Sequence, residues 1–107
     1  MVRRQPYSLV YAPAVQQHLR AIERRHYALI RETLEEQLLF EPGAETRNRK
    51  PLRQPALFEA QWELRFGPGN RFRVFYEIDR EERRVHILAI GVKERDRLLI
   101  GGEEVKL

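Results

Sequence analysis

The first third of the chain combines a short β-prone run with two stretches of helical periodicity. Tyr7–Tyr11 is the β-prone run, and Pro13 ends it, because proline cannot donate to a β-ladder but suits the first turn of a helix. Apolar side chains then recur at Val15, Leu19 and Ile22, which places them on one side of a helix. The pattern predicts a strand followed by a helix with one buried side.

A second helical stripe follows the polar break at residues 23–25. Its apolar members are three or four positions apart, with glutamates on the opposite side, and are Tyr27, Ile30, Leu34 and Leu38. The Glu-Pro-Gly segment at residues 41–43 ends this helix, because a residue before proline is disfavoured in the α region and glycine supplies a turn. We therefore predict a helical hairpin, followed by a polar loop from Gly43 to Pro55.

From Phe58 the apolar period changes to two, which is typical of strands with one buried face. Two such runs flank the Gly-Pro-Gly-Asn turn at residues 67–70, and their apolar faces consist of Trp62, Leu64 and Phe66, then Phe72, Val74, Tyr76 and Ile78. A third run, Val85–Ile90, is almost continuously apolar, as expected of a strand covered on both faces. The tail from Gly91 to Leu107 is predicted only as a turn or a short helix.

The order of these elements predicts an α+β fold. An N-terminal strand and a two-helix hairpin precede an antiparallel three-stranded meander, with the helices on one face of the sheet and the other face open. A length of 107 residues suits one domain over residues 1–107. No apolar run approaches the roughly 20 residues that span a bilayer, and Met1–Tyr7 lacks the apolar core of a secretion signal, so we expect a cytoplasmic protein without membrane contact.

Composition narrows the chemistry that the chain can carry. The absence of cysteine excludes disulfides, thiolate metal ligands and a cysteine nucleophile. The three histidines have no close paired spacing, so we expect neither a metal site nor any other cofactor. What remains is chemistry carried by cations and carboxylates.

The net charge of +4 is informative once it is located along the chain. Residues 46–58 contain four basic side chains and no acid, whereas the rest of the chain has equal numbers of both. The four are Arg47, Arg49, Lys50 and Arg53. The whole excess of positive charge therefore lies in one predicted loop, which favours a polyanionic partner, with RNA as the leading candidate.

Alternation along the predicted strands places further cations on the open face of the sheet. Arg65 lies on one strand, Arg71 and Arg73 lie on the next, and Lys93 follows the last strand. Guanidinium groups remain charged at physiological pH and match phosphate oxygens, so such a cluster suits a phosphodiester backbone.

The alternative interpretation is a solvated face on which these cations pair with neighbouring acids. Glu59, Glu63 and Glu77 are available as partners. The nucleic-acid hypothesis therefore requires that the guanidinium groups are gathered together and are not bound by Glu63 and Glu77.

Several short motifs, in their order and spacing, resemble the RelE/ParE superfamily of small toxins from bacterial type II toxin-antitoxin pairs. They cover almost the whole chain and are LLFEP at residues 38–42, KPLR at 50–53, WELR at 62–65, RFRVFYEI at 71–78 and VHILAIG at 85–91. The resemblance implies a cytoplasmic toxin held by an acidic antitoxin protein. RelE-like members cut messenger RNA, typically at the ribosome, whereas ParE-like members poison DNA gyrase.

The resemblance also implies roles for individual residues. Arg73 matches the sheet arginine that contacts the scissile phosphate, Arg65 matches a supporting basic position, and Lys93 falls where a second catalytic arginine is expected. Further RNA contacts are expected from Arg71, Arg47, Arg49, Lys50, Arg53 and Arg95. On this basis the sequence favours a metal-independent, ribosome-dependent messenger RNA endonuclease, with a gyrase poison or a non-catalytic RNA-binding or protein-binding member as alternatives.

The chain departs from the RelE pattern at three positions. Gln61 and Glu63 stand where RelE has lysines used in catalysis, and Leu99 lies near the place of a functional tyrosine. These departures lower the expectation of cleavage, and Glu63 places a carboxylate where the RelE pattern has a cation.

Overall fold

Two helices lie against one face of a mostly antiparallel sheet, as the sequence pattern predicts. The computed structural model describes residues 5–53 and 59–106. Pro55 and Phe58, where we predicted the end of the polar loop and the start of the meander, lie outside these residues.

The helical hairpin consists of α1 (Val15–Arg20), a 3-10 turn (Arg24–His26) and α2 (Tyr27–Leu38). The stripe predicted for α2 is confirmed, because Ile30, Leu34 and Leu38 are buried against the sheet. Helix α1 is shorter than its stripe suggested, and Ile22 is buried just beyond its end. The apolar period therefore identified the buried side of each helix correctly.

Within residues 5–53 and 59–106, seven strands form the sheet: the predicted N-terminal strand, the three strands of the predicted meander and three further short strands. They are β1 (Ser8–Tyr11), β2 (Arg49–Pro51), β3 (Trp62–Phe66), β4 (Phe72–Asp79), β5 (Arg84–Glu94), β6 (Arg97–Ile100) and β7 (Glu103–Val105). Strands β2 to β7 are adjacent in chain order and antiparallel, whereas β1 runs parallel to β5. Within the described part of the chain, β1 has no strand along its outer edge.

The C-terminal tail differs from our prediction of a turn or short helix, because it forms the hairpin β6–β7. Gly101 and Gly102 make its two-residue turn, with φ values of 63° and 81°. Positive φ at both central residues is what a tight hairpin turn requires, and glycine adopts it without steric cost. Two adjacent glycines directly after the short apolar run at residues 98–100 were the sequence signal for this hairpin.

A β-bulge in β5 changes which of its residues lie under the helices. Phe75 is opposite Ala89 and Tyr76 is opposite Ile87, so Leu88 is an extra residue without a partner in β4. Because of this extra residue, Val85 and Ile87 before the bulge and Ile90 and Val92 after it all belong to the large core under the helices. Ala89 belongs to a smaller cluster on the other face. Phe75, in that smaller cluster, is only 1% exposed, so the face that we expected to be open is partly covered.

Helix α2 is fastened to the sheet at its C-terminal end, where its last turn contains no basic residue of its own. Arg49 supplies the missing cation from β2, since its Nη1 donates to the carbonyl oxygens of Gln37 at 2.6 Å and Glu41 at 2.7 Å. The Tyr76 hydroxyl donates to the Pro42 carbonyl at 2.8 Å. Burial raises the pKa of Tyr76 far above its ordinary value, so the hydroxyl keeps the proton that it donates.

His18 fills a gap beside the bulge. Strand β1 pairs with β5 as far as Ile87 and β6 begins pairing at Gly91, so neither strand lies beside the segment between them. The backbone N–H of Ile90, in that gap, donates to Nδ1 of the buried His18 at 3.3 Å. An imidazole on α1 therefore satisfies a buried backbone donor that a neighbouring strand would otherwise satisfy.

We expect the contact between His18 and Ile90 to make the fold less stable as the pH falls. Burial lowers the pKa of His18 below its ordinary 6.5. The unfolded chain therefore binds the proton more readily, so this stabilisation is complete above about pH 6.5 and decreases as the pH drops below that value. Thermal unfolding from about pH 7.5 to pH 5 should show that the melting temperature falls more steeply for the parent than for His18→Asn. The asparagine side-chain oxygen can accept a hydrogen bond in place of the imidazole, but it does not titrate. Parallel curves would contradict this.

We expect Arg49→Met to lower the free energy of unfolding by about 2–4 kcal/mol, because two carbonyl oxygens lose a charged donor. Lys50→Met is the matched control, because Lys50 is exposed and pairs only with Glu45 at 3.2 Å. Its substitution should change stability by less than about 0.5 kcal/mol. Urea unfolding of both variants measures the difference, and equal effects would exclude the role assigned to Arg49.

Candidate functional site

Three charged side chains form the centre of the sheet face that lies away from the helices. Arg65 on β3 is directly opposite Arg73 on β4, an arrangement of like charges that is unfavourable by itself. Glu63, two residues before Arg65 and on the same face, lies between them. Its Oε1 accepts from Nε of Arg65 at 2.9 Å, and its Oε2 is 3.4 Å from Nη1 of Arg73.

Burial differs sharply among these three side chains, which we call the Arg65–Glu63–Arg73 cluster. The side chain of Glu63 is 6% exposed and that of Arg73 is 10% exposed, whereas that of Arg65 is 44% exposed. Nε of Arg73 also donates to the Asn70 carbonyl at 2.9 Å. Two of the three donor groups on Arg73 that could meet a phosphate thus already have protein partners. One carboxylate neutralises half of the positive charge in the cluster.

Lys93 joins the cluster through a shared cavity of about 280 Å³. Its charged lining is balanced, with three bases and three acids: Arg73, Lys93 and Lys106, and Glu63, Asp96 and Glu104. Leu98 and Val105 of the C-terminal hairpin provide an apolar wall. Arg73 therefore lies beside both of the other cations that the sequence singled out, Arg65 across the β3–β4 ladder and Lys93 in the cavity, and the charged lining of the cavity itself is balanced.

Arg71 lies apart from this cluster, although the sequence pattern placed it on the same face. It precedes β4 and has helical dihedral angles, φ −72° and ψ −26°, so strand alternation does not govern its direction. Its guanidinium lies 5.3 Å from the centre of the Phe72 ring and lines a separate cavity beside His18 and His26. The 3-10 turn at residues 68–70 is the physical reason for the difference.

The basic segment after α2 is divided between the two faces of the sheet. Arg49 is buried on the helix side and bonded to carbonyl oxygens, so we leave it out of the proposed surface. Lys50, opposite Glu63 in register, is exposed and pairs with Glu45. The remaining predicted contacts are exposed, with Arg47 and Arg53 in bends and Arg95 in the turn between β5 and β6.

Sequence reasoning missed two of the three acids in the cavity. Asp96 and Glu104 come from the β5–β6 turn and from β7, which were not predicted as parts of the sheet. Within residues 5–53 and 59–106, no three His, Asp or Glu side chains are placed to hold a metal ion. No helix in the same ranges is long and apolar enough to cross a membrane.

Comparisons with known proteins agree on the type of molecule. The family model described as the ParE toxin of the type II toxin-antitoxin system parDE matches residues 5–97. Among solved structures, one chain of the toxin-antitoxin complex RelBE2 from Mycobacterium tuberculosis is similar, with 26% sequence identity and a TM-score of 0.67. The similarity covers 85% of this chain and 95% of that one. No curated protein matches the chain.

If Glu63 neutralises the two arginines, Glu63→Gln should increase affinity for polyanions. The substitution keeps the shape of the side chain and removes one negative charge from the cluster. Elution from heparin should shift to higher salt, and affinity for single-stranded RNA should rise several-fold with a steeper salt dependence. Stability should fall by about 1–3 kcal/mol, because two arginines then oppose each other without a carboxylate.

Glu104→Gln is the control for this prediction. It lines the same cavity and removes the same charge, but it makes no ion pair with Arg65 or Arg73. Equal shifts on heparin for the two variants would mean that only net charge matters, which would exclude the specific role of Glu63.

Proposed function

The chain belongs to the ParE toxin family of type II toxin-antitoxin systems, and from this membership we propose that it inhibits its host by binding DNA gyrase rather than by cutting messenger RNA. The family resemblance connects gyrase poisoning with ParE-like members and RNA cleavage with RelE-like members. The Arg65–Glu63–Arg73 cluster supports the first of these activities.

The observation that carries the proposal is the buried position of Glu63 between the two arginines. Cleavage of RNA at a phosphodiester needs cations that are free to stabilise the extra negative charge of the transition state. Here both guanidinium groups face a carboxylate, which would repel an approaching phosphate. Arg73, which the resemblance makes the main phosphate contact, is also the more deeply buried of the two arginines.

Proton transfer is the second requirement for cleavage. A base must take the proton of the ribose hydroxyl, and an acid must protonate the leaving oxygen. The cavity contains no histidine or tyrosine among its described lining residues. Its buried carboxylate, Glu63, already accepts from both arginines, so it is poorly placed to act as a general base. The other two carboxylates of the cavity, Asp96 and Glu104, are exposed and form no ion pair with Arg73, so neither is fixed beside the arginine that the resemblance places on the scissile phosphate.

A charge-balanced surface is better suited to a protein than to a nucleic-acid backbone. Alternating acids and bases can each meet an opposite charge on a partner, which confers specificity, whereas a polyanion needs a continuous basic track. The β6–β7 hairpin adds an apolar wall to this surface through Leu98 and Val105. Such a combination of a small apolar patch and a charged rim is typical of protein interfaces.

Messenger RNA cleavage at the ribosome is the second candidate function. It is favoured by the one cavity that Arg73 and Lys93 share, since the resemblance assigns both positions to catalysis. A ribosome-bound substrate could supply groups that this cavity does not contain.

Brief induction of the toxin separates the two candidates. We expect transcripts to keep their original 5′ ends, while a reporter plasmid loses negative supercoiling and DNA-damage responses rise. Purified gyrase should lose supercoiling activity when the toxin is added. Gyrase that works normally alongside newly cut transcripts would contradict the proposal.

Lys93→Gln is the matched variant for this experiment, because Lys93 is exposed and its loss does not leave a buried carboxylate unpaired. If the toxin acts on gyrase through a wider surface, this variant should keep most of its toxicity. Transcript cleavage that disappears in Lys93→Gln would instead support the second candidate. Normal growth, intact transcripts and active gyrase together would contradict both.

A further inference from the structure

A small, partly enclosed cavity of about 120 Å³ lies where the helical hairpin, the sheet and the C-terminal hairpin meet. Its lining includes His18 on α1, His26 in the 3-10 turn and Arg71 just before β4. One molecule of liquid water takes up about 30 Å³, so the cavity holds about four waters and is too small for a nucleotide. A ligand of this size is a single carboxylate or phosphate group. The function proposed above does not use this cavity.

Arg71 supplies the permanent positive charge of the cavity. The 3-10 turn at residues 68–70 separates it from the Arg65–Glu63–Arg73 cluster, and its guanidinium lies 5.3 Å from the centre of the buried Phe72 ring. Within residues 5–53 and 59–106 it forms no ion pair. A guanidinium in contact with a ring still has its fork of N–H donors, so Arg71 can donate two hydrogen bonds to one oxyanion.

His18 contributes a hydrogen-bond donor to the same region. Its Nδ1 accepts from the backbone N–H of Ile90 at 3.3 Å, so the neutral ring carries its proton on Nε2. The neighbouring Cδ2 atom is 3.6 Å from the position that a Cβ would take on Gly101, a residue that also lines the cavity. The Cδ2–Nε2 edge of this ring therefore faces the C-terminal turn.

His26 carries a polar atom that the described part of the chain leaves unsatisfied. Its Nε2 is buried and has no hydrogen-bond partner among residues 5–53 and 59–106. A buried nitrogen in this condition is unfavourable, so a ligand that offers it an acceptor gains affinity. The turn that carries His26 is exposed at Arg24 and Arg25, and a small shift of this turn suffices to bring the nitrogen to a ligand.

Two carboxylates also line the cavity, and they limit its positive charge. Glu23 is 68% exposed and its Oε2 pairs with Nε of Arg25 at 3.0 Å, while Glu94 is exposed near the end of β5. Arg71 is half-buried, so solvent screens both carboxylates more strongly than it screens the guanidinium. The interior of the cavity therefore favours an anion, and removal of a carboxylate from its rim should strengthen binding.

We propose that this cavity binds one small oxyanion, a carboxylate or phosphate group, between Arg71 and His26. Arg71 donates a pair of charge-assisted hydrogen bonds, and His26 donates from Nε2. The oxyanion thereby joins the connection between the two helices to the segment that enters β4. The inference does not depend on whether the target of the toxin is gyrase or messenger RNA.

The C-terminal hairpin connects this site with the cavity beside Lys93. Leu99 and Gly101 line the oxyanion site, whereas Leu98 and Val105 line the cavity on the other face of the sheet. Neighbouring residues of a strand point to opposite faces, so one short hairpin forms a wall of both cavities. An oxyanion bound on the helix side restrains the hairpin that provides the apolar wall of the proposed protein interface.

Three substitutions and a matched control test the site. Arg71→Gln removes the cation, and His26→Phe keeps a ring beside Phe72 but removes the nitrogen. Glu94→Gln removes a carboxylate from the rim. Arg97→Gln is the control for Arg71→Gln, because Arg97 carries the same charge, is exposed and is not among the residues that line this cavity.

The experiment titrates the full-length toxin with sodium phosphate, and separately with sodium acetate, at an ionic strength held constant with sodium chloride. Nuclear magnetic resonance follows the backbone amides of Ile90, Gly101 and Gly102. We expect their signals to shift and then saturate, whereas the general stabilising effect of phosphate on proteins does not saturate at one site.

The variants should change the affinity in opposite directions. Arg71→Gln and His26→Phe should each weaken binding about tenfold, because each removes a hydrogen-bond donor to the anion. Glu94→Gln should strengthen it about twofold to threefold, and a gain in affinity cannot result from loss of the fold. Arg97→Gln should bind as the parent does. Thermal unfolding verifies that each variant is folded.

Saturable shifts with phosphate alone would identify the ligand as a phosphate group, and shifts with acetate alone would identify it as a carboxylate. Either result supports the site. Shifts at neither anion would overturn the proposal, as would equal affinities of the parent and Arg71→Gln. Shifts centred on Arg73 and Lys93, with none at Gly101 and Gly102, would also overturn it, because the anion would then bind on the other face of the sheet.

Discussion

The hydrogen bonds of β5 are the constraint on which the rest of the molecule depends. This strand pairs with β4 along one edge and with β1 and β6 along the other, so it joins the N-terminal strand, the meander and the C-terminal hairpin. The bulge at Leu88 shifts its alternation midway, so that Val85 and Ile87 before it and Ile90 and Val92 after it all face the helix-side core. The gap left at the edge between β1 and β6 is closed by His18, which couples the position of α1 to the same strand. Both candidate binding sites are built around this one strand.

The sequence predicted the elements whose apolar period is long and regular. The apolar stripe of α2 and the alternating faces of β3 and β4 are found as expected. A regular spacing predicts them because the apolar side chains can be buried together only on one face of a helix or strand. The tail was missed because β6 and β7 have four and three residues, too few for a period, and depend on a glycine turn instead. The bulge is equally invisible in a continuous apolar run, since such a run has no polar positions to mark a change of phase.

Placement of the candidate site residues could be predicted only in part. Arg65, Arg73 and Lys93 share a face because alternation holds within regular strands. Arg71 does not lie on this face, because it belongs to a turn. Arg49 does not lie on it either, because its position in the short strand β2 places it on the buried side. The number of charged residues in a segment therefore does not give the net charge that the folded surface exposes to a ligand. Part of the positive excess in residues 46–58 stabilises a helix end, and part of the charge on the sheet is balanced by Glu63.

The outer edge of β1 determines how readily another extended chain can add to the sheet. A strand without a neighbour presents backbone donors and acceptors to any extended chain, and proteins usually protect such edges with lysine, proline or a bulge. Strand β1 contains Ser-Leu-Val-Tyr, with no charge along its length, and Val10 and Tyr11 are exposed. Its protection lies in its length and its flanks: β1 has four residues, and Pro6 and Pro13 on either side do not extend the ladder, so this edge offers another chain few backbone hydrogen bonds.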